Sequence, residues 1–153
     1  MRNLDGCISR TTASTALKKL GIFSGILADE YEQVLHICHV TKLHENQVLF
    51  AEGDHSDAIY VLLSGEVEIS CVMSGQLQIV QPGDLFGEIG VICQIPRTAA
   101  ASALHDCILL RIDKNDLVFL LGKHPRISAI IMKNLAQTLS QRLISTNNSR
   151  AGF

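Results

Sequence analysis

The chain has 153 residues, of which 47% are hydrophobic and 18% are charged. This length suits one well-filled core, and the composition excludes a disordered chain. Lysine and arginine total 13 against 15 acidic residues, a formal net charge of -2, so no global positive field recruits nucleic acid or an anionic membrane. A small anionic ligand would therefore need a local pocket.

The N-terminal part of the chain predicts helices. Residues 1–13 show no periodic apolar pattern, and we expect them to form a flexible arm. Apolar residues then recur with helical spacing from Leu17 to Cys38, with a break at Ser24 and Gly25. This pattern predicts a short helix, a turn and a second helix.

Between Val40 and Ile112 the pattern changes to short β-prone runs that are separated by turn residues. The runs are QVLFAE (47–52), AIYVLLS (58–64), EVEISCV (66–72), LQIVQ (77–81) and DCILLRI (106–112). Strands spaced by about ten residues, with glycines between them, favour a closed or double-sheet antiparallel architecture such as a jelly roll.

Helical patterns return after the last of these runs. Asp113 is a plausible N-cap for a helix that ends at Gly122, and Pro125 suits the first turn of a further helix. That last helix carries one apolar stripe, which consists of Ile127, Ile130, Ile131, Leu135, Leu139 and Leu143. The stripe packs on the protein itself, on a second copy, or on both. We expect the domain to span residues 14–145 and to be followed by a flexible tail, residues 146–153.

Cysteine and histidine usage argues against metal or disulfide chemistry. The five cysteines are spread along the chain without a CxxC pair, and His36 and His39 lack a third ligand at suitable spacing. The chain also lacks the roughly 20-residue apolar run of a membrane span and the apolar stretch of a signal peptide. We therefore expect a cytoplasmic protein with reduced thiols and no metal.

The segment 82–103 interrupts the β pattern with a glycine-flanked acid, an apolar turn and a Pro-Arg pair. One helical turn starting at Gly87 would present free backbone N–H groups to an anion, and Arg97 could close over the same anion. Glu88 would then need a hydrogen-bond donor, and a sugar hydroxyl is a natural one. On spacing alone, a glutamate and an arginine nine residues apart, such as Glu88 and Arg97, are more often a surface pair than a nucleotide site.

The same segment resembles the phosphate-binding cassette of the cyclic-nucleotide-binding domain family. The resemblance rests on Phe86-Gly87-Glu88-Ile89-Gly90 and Pro96-Arg97-Thr98-Ala99, and upstream on Glu52-Gly53-Asp54, Tyr60 and Gly65. This family includes kinase regulatory subunits, cyclic-nucleotide-gated channels and catabolite-activator-type proteins. The resemblance covers about residues 17–145 and implies an eight-stranded antiparallel jelly-roll β-barrel with N-terminal helices and two C-terminal helices.

The resemblance also implies roles for individual residues. Glu88 and the Gly87 backbone would hold the ribose 2′-hydroxyl, and Arg97 would hold the exocyclic phosphate oxygens. Gly90 stands where alanine is usual in the family, which we expect to loosen the turn slightly. The predicted ligand-binding residues are Phe86, Gly87, Glu88, Ile89, Gly90, Arg97, Thr98, Ala99 and Val80.

The resemblance says less about the base. In members that accept cGMP, a threonine at the position of Thr98 can bond the guanine, and Val80 is expected on the apolar wall. In related domains the last helix covers the base, so Thr138 or Arg142 could contact the purine; both also fit a solvated polar face.

We therefore expect a sensor whose regulatory ligand is cAMP or cGMP and which signals by moving its C-terminal helices. The partner would be a second copy or an effector protein on the last helix, and we expect neither nucleic acid binding nor membrane insertion. No arrangement of nucleophile and base predicts an enzyme. The alternative is a structural interaction module of the same fold that binds no nucleotide, against which the intact Glu88 and Arg97 argue.

Overall fold

A computed structural model describes residue 15 and residues 17–150 of the chain. The predicted arm, residues 1–13, lies outside the described residues. In the described part, two four-stranded sheets face each other, and helices lie before, between and after the strands. None of these helices combines the length and the apolar character that a bilayer span requires.

The two sheets form the antiparallel jelly roll that the sequence predicts. One sheet has the order β1-β8-β3-β6 and the other β2-β7-β4-β5, and all pairs are antiparallel. The strands are β1 Cys38–Leu43, β2 Val48–Phe50, β3 Ala58–Ser64, β4 Val67–Cys71, β5 Gly75–Val80, β6 Leu85–Phe86, β7 Ala100–Ala103 and β8 Cys107–Asp113.

Three of the eight strands, β1, β6 and β7, do not correspond to any of the five β-prone runs of the sequence. The expectation that helical spacing continues to Cys38 is wrong, because Cys38 begins β1 and pairs with Ile112 of β8. β6 has only two residues, and β7 reads Ala-Ala-Ser-Ala, a composition with low β propensity. β7 is nevertheless a strand because it lies between β2 and β4, which supply its hydrogen bonds.

The helices follow the predicted order with shifted ends. They are a 3₁₀ turn at Gly21–Phe23, α1 Tyr31–His36, α2 Glu88–Cys93, α3 Lys114–Lys123 and α4 Pro125–Arg150. α3 ends one residue beyond the predicted Gly122. α4 begins at the predicted proline and continues to Arg150, so residues 146–150 are helical where we expected a flexible tail. Residues 151–153 lie outside the described residues.

Strand β3 supplies side chains to two separate cores. Tyr60 and Leu62 point between the two sheets, where Phe86, Val80 and others pack. Ile59 and Val61 point to the other face, where the helices cover the sheet. Because side chains alternate along a strand, the continuous apolar run AIYVLL indicates a strand that is buried on both faces.

The long helix α4 divides into a buried half and an exposed half. Ile127, Ile131 and Leu135 are buried against the N-terminal helical segment, whereas Leu143 is 62% exposed. The buried side chain of Asn134 donates to the carbonyl oxygens of Ile22 and Ser24, at 2.9 and 2.8 Å. The first half of the predicted stripe therefore packs on its own chain.

We predict that Asn134→Ala lowers the free energy of unfolding by about 1–3 kcal/mol, because two carbonyl oxygens lose a buried donor. The matched control is Gln137→Ala, an exposed position of the same helix, which should change stability by less than about 0.5 kcal/mol. Urea unfolding followed by circular dichroism measures both. Equal losses in the two variants would contradict this role of Asn134.

Candidate functional site

A cavity opens between strands β4 and β5, helix α2 and the last helix α4. Its volume is about 90 Å³. All the predicted ligand-binding residues except Val80 line it. The lining residues are Phe50, Ile69, Gln78, Phe86, Gly87, Glu88, Ile89, Gly90, Arg97, Thr98, Ala99 and Arg142.

Val80 lies elsewhere, fully buried in the core between the two sheets. Its neighbour on the same face of β5, Gln78, lines the cavity together with Ile69, the residue that pairs with it across β4 and β5. On β5 the cavity is therefore lined by Gln78, two positions before the predicted Val80. An apolar wall was expected from the sequence, and Gln78 is polar, so it was not selected.

Gly87 lets the chain turn sharply into helix α2. Its φ of 75° lies in the left-handed region, and a Cβ there would stand 2.9 Å from the Nη1 atom of Arg97. The helix that follows places Glu88 in its first turn with only 2% of the residue exposed. Glu88 and Arg97, the two residues predicted to hold the ligand, thus both line this cavity.

Arg97 is buried and mostly satisfied by the protein itself. Its two terminal nitrogens donate to the carbonyl oxygens of Gly87 and Ala58, each at 2.7 Å. Its guanidinium carbon lies 4.1 Å from the centre of the Phe50 ring. The buried Nε atom has no hydrogen-bond partner. Burial lowers the pKa of Arg97, but a guanidinium remains charged at neutral pH.

These contacts give Arg97 a structural role as well. The family resemblance assigns Arg97 to the exocyclic phosphate oxygens of a ligand. The structure shows a side chain that joins the turn at Gly87 to the start of β3. A ligand on Arg97 would therefore act directly on the link between these two segments.

Glu88 already has a cationic partner. Its Oε1 atom lies 2.5 Å from the Nη1 atom of Arg142, and the other terminal nitrogen of Arg142 donates to the carbonyl oxygen of Leu85. Of the two residues of α4 that were considered near the base, Arg142 reaches the cavity, whereas the hydroxyl of Thr138 donates to Asn134 within the helix. A Glu–Arg pair separated by 54 residues carries no sequence signal.

A glycine stands at position 90, where the family usually has alanine, because a side chain there would clash. A Cβ at Gly90 would stand 1.9 Å from the Oγ atom of Ser56, a buried side chain that donates to the carbonyl oxygen of Ile95 at 2.8 Å. The glycine thus allows Ser56 to reach under the turn and hold the far end of α2. The space beside Gly90 is filled by Ser56, and the expectation that Gly90 loosens the turn stays a prediction.

A network of ion pairs leads from the cavity to the start of α3. Asp57 lies 3.5 Å from Arg97 and 3.1 Å from Arg111, and Arg111 in turn lies 2.5 Å from Asp113. Burial alone would raise the pKa of Asp57, but the hydrogen bond and charge of Arg111 outweigh it and lower the pKa. The carboxylate of Asp113 thus bonds Arg111, and no cap hydrogen bond from it to α3 is present.

The same carboxylate belongs to a second polar group outside the cavity. His39, Asp113 and Asp116 place one possible ligand atom each within 4.8 Å of one another. Asp113 is already neutralised by Arg111, and Asp116 is exposed. This arrangement fits an ion-pair network, and we assign no metal to it.

The chain is similar in sequence to proteins that carry one particular regulatory domain. The profile of the family described as "Cyclic nucleotide-binding domain" matches residues 40–124, more than half of the chain. The CRP-like cAMP-activated global transcriptional regulator of Mycobacterium tuberculosis is 29% identical over 139 residues, which cover 88% of this chain and 60% of that protein. Glutaminase 1 of Bradyrhizobium diazoefficiens is 31% identical over 134 residues, which cover 88% of this chain and 22% of that enzyme.

The fold is similar as well. The crystal structure of the catabolite activator protein of Thermus thermophilus aligns with a TM-score of 0.72 and 27% identity, covering 86% of this chain and 62% of that one. The chain therefore spans less than two thirds of the length of these relatives, which carry further segments.

We predict that Gly90→Ala lowers the free energy of unfolding by about 2 kcal/mol, because the new methyl group overlaps Ser56. Ser56→Gly removes the overlapping atoms, so Ser56→Gly in the Gly90→Ala background should recover part of this loss, although Ser56→Gly alone should be destabilising. A double-mutant cycle by urea unfolding measures the coupling. Strictly additive losses would show that the two positions do not compete for one space.

Proposed function

Since the chain belongs to the cyclic nucleotide-binding domain family, we propose that it binds cAMP or cGMP in the cavity and senses this ligand without transforming it. The observation that carries the proposal is the meeting of Glu88 and Arg97 in one cavity on either side of the turn at Gly87. A buried carboxylate can accept a hydrogen bond from a sugar hydroxyl, and a buried guanidinium in the same cavity can bind a phosphate.

Arg97 supports the phosphate assignment. It is a permanent cation inside the protein, and its buried Nε atom lacks an acceptor. Buried donors without a partner are rare in folded proteins, so an absent acceptor is the simplest explanation. An exocyclic phosphate oxygen is an acceptor of the right charge, and the amides at the start of α2 offer further donors.

Glu88 supports the ribose assignment. Its carboxylate is almost fully buried and can only accept hydrogen bonds when ionised. The ribose 2′-hydroxyl is a donor, and a cyclic nucleotide presents this hydroxyl beside the phosphate. One ligand would thus engage both residues.

The remaining lining residues suit a purine. Phe50 and Ile69 provide apolar surface, and Gln78 and Thr98 provide polar groups at its edge. Small-molecule sites commonly combine an apolar wall with a few polar groups that set orientation. In this proposal Thr98 and Gln78 influence the preference between cAMP and cGMP.

The output of the sensor would lie on the last helix. Leu143 and Ile144 of α4 are 62% and 59% exposed, which leaves an apolar surface for a second copy or an effector protein. The related regulator and enzyme both contain more chain than this domain, so the response belongs to another part or another protein. We place the domain in the cytoplasm, where its thiols at Cys38, Cys71, Cys93 and Cys107 would stay free.

We predict that one cyclic mononucleotide, but no cyclic dinucleotide, binds saturably in calorimetric titration. At about a hundredfold excess over Kd the ligand should add roughly 2.7 kcal/mol of stability and raise Tm by about 5–10 °C. Parallel titrations with cAMP and cGMP decide the base preference. If neither mononucleotide binds, the chain is better described as an interaction module of the same fold.

We also predict that Arg97→Lys weakens binding at least about tenfold, because lysine keeps the charge but loses the planar pair of donors. Arg150→Lys, an exposed position at the end of α4, is the matched control and should bind like the wild type. Far-UV circular dichroism checks that both variants are folded. Unchanged affinity in a folded Arg97→Lys variant would refute the phosphate assignment.

A further inference from the structure

Two stretches of the segment around α2 line the cavity, and a third connects them. The lining stretches are residues 86–90, which include Glu88, and residues 97–99, which begin with Arg97. Residues 91–96 join the two without lining the cavity. The distance between the proposed ribose and phosphate contacts therefore depends on how this connecting segment is fixed.

The connecting segment closes in a tight turn at the end of α2. The carbonyl oxygen of Gly90 accepts hydrogen bonds from the amides of Gln94 and Ile95. Gln94 has a φ of 56°, in the left-handed region, which is costly for a residue with a side chain. Backbone of this kind persists where the surrounding structure holds it in place.

Ser56, in the loop between β2 and β3, holds this turn at both ends. Its hydroxyl donates to the carbonyl oxygen of Ile95 at 2.8 Å, and its side chain fills the space beside Gly90. Ser56 is only 4% exposed and is not among the residues that line the cavity. It would therefore act on a ligand only through the segments that it holds.

The backbone of the same loop extends this support to Arg97. The amide of Arg97 donates to the carbonyl oxygen of Asp54, and the amide of Gly53 donates to the carbonyl oxygen of Arg97, both at 2.8 Å. Together with the hydroxyl of Ser56, these bonds join the loop to Arg97 and to the segment directly before it.

We propose that Ser56 is a positioning residue of the nucleotide site, whose hydroxyl fixes the stretch with Glu88 relative to the stretch with Arg97 before a ligand arrives. This inference rests on the proposed function and adds which residue prepares that site. Without the hydroxyl, the carbonyl oxygen of Ile95 loses its side-chain donor and the strained turn loses a contact. The connecting segment then adopts other conformations as well, and a nucleotide binds only the fraction that keeps the right one.

The first test is Ser56→Ala, which removes the hydroxyl and leaves the Cβ. We expect it to weaken binding of the preferred cyclic mononucleotide about tenfold in calorimetric titration, at a temperature where the variant is folded. Loss of one buried donor can lower the population of the binding-ready arrangement by about that factor. Wild-type affinity in a folded Ser56→Ala would overturn the proposal.

The matched control is Asn134→Ala. It also removes a buried side-chain donor to backbone carbonyl oxygens, but at the contact of α4 with residues 22–24. It should therefore lose stability and bind the nucleotide like the wild type. Equal losses of affinity in Ser56→Ala and Asn134→Ala would show that affinity follows general stability, which would refute a positioning role of Ser56.

Ser56→Cys separates the hydrogen bond from the packing. A thiol fills nearly the same space as the hydroxyl but is a weak donor, so this variant should bind about threefold more weakly than the wild type. If Ser56→Ala does not fold, Ser56→Cys decides alone. A folded Ser56→Cys with the affinity of the wild type would then count against the hydrogen bond to Ile95.

Hydrogen exchange of peptides that cover residues 91–97 reports the positioning itself. In the nucleotide-free state these amides should exchange faster in Ser56→Ala than in the wild type, whereas Asn134→Ala should leave them unchanged. Saturating nucleotide should remove most of the difference, because the ligand then holds both lining stretches. Equal exchange in nucleotide-free wild type and Ser56→Ala would mean that the segment is fixed without the hydroxyl.

These outcomes separate the inference from the proposed function. If the wild type binds a cyclic nucleotide and Ser56→Ala binds it equally well, the sensor stands and the positioning role is wrong. If the wild type binds neither cAMP nor cGMP, the proposed function fails and the positioning role fails with it.

Discussion

The guanidinium of Arg97 has to be satisfied inside the protein, and much of the domain is arranged around it. A buried cation needs acceptors on several sides. It finds one carbonyl at the turn before α2 and one at the first residue of β3, with Asp57 nearby and the Phe50 ring against its face. The cassette and the central strand are thereby held in one relative position, and the cavity is the space that this position leaves open.

Two sets of contacts connect this point to the helices. On one side, Asp57 and Arg111 continue the chain of charges to Asp113, directly before α3. The second set is the ion pair of Glu88 with Arg142, which lies near the end of α4. The helices after the jelly roll are thus linked to the cavity at the beginning of α3 and again near the end of α4, whereas the segment between them is fastened by apolar packing and by Asn134.

The fold was largely predictable because its signals are local. The strand runs, the turn residues between them and the proline that starts α4 all act within a few residues. β1 and β7 were missed because their strand character comes from the neighbours they pair with. At the site, the motif around Glu88 and Arg97 identified one wall of the cavity. Gln78 and Arg142 enter from distant segments, and the role of Gly90 depends on Ser56, so tertiary packing alone determines these contacts.

The double-sided burial of β3 bears on how small a folded fragment can be. The family profile covers residues 40–124, but Ile59, Val61 and Leu110 face helical residues that lie outside this range, among them Phe23 and Ile131. A fragment cut to the matched boundaries would carry a bare apolar sheet face and would be prone to self-association. The unit that folds is therefore longer at both ends than the unit that the family shares.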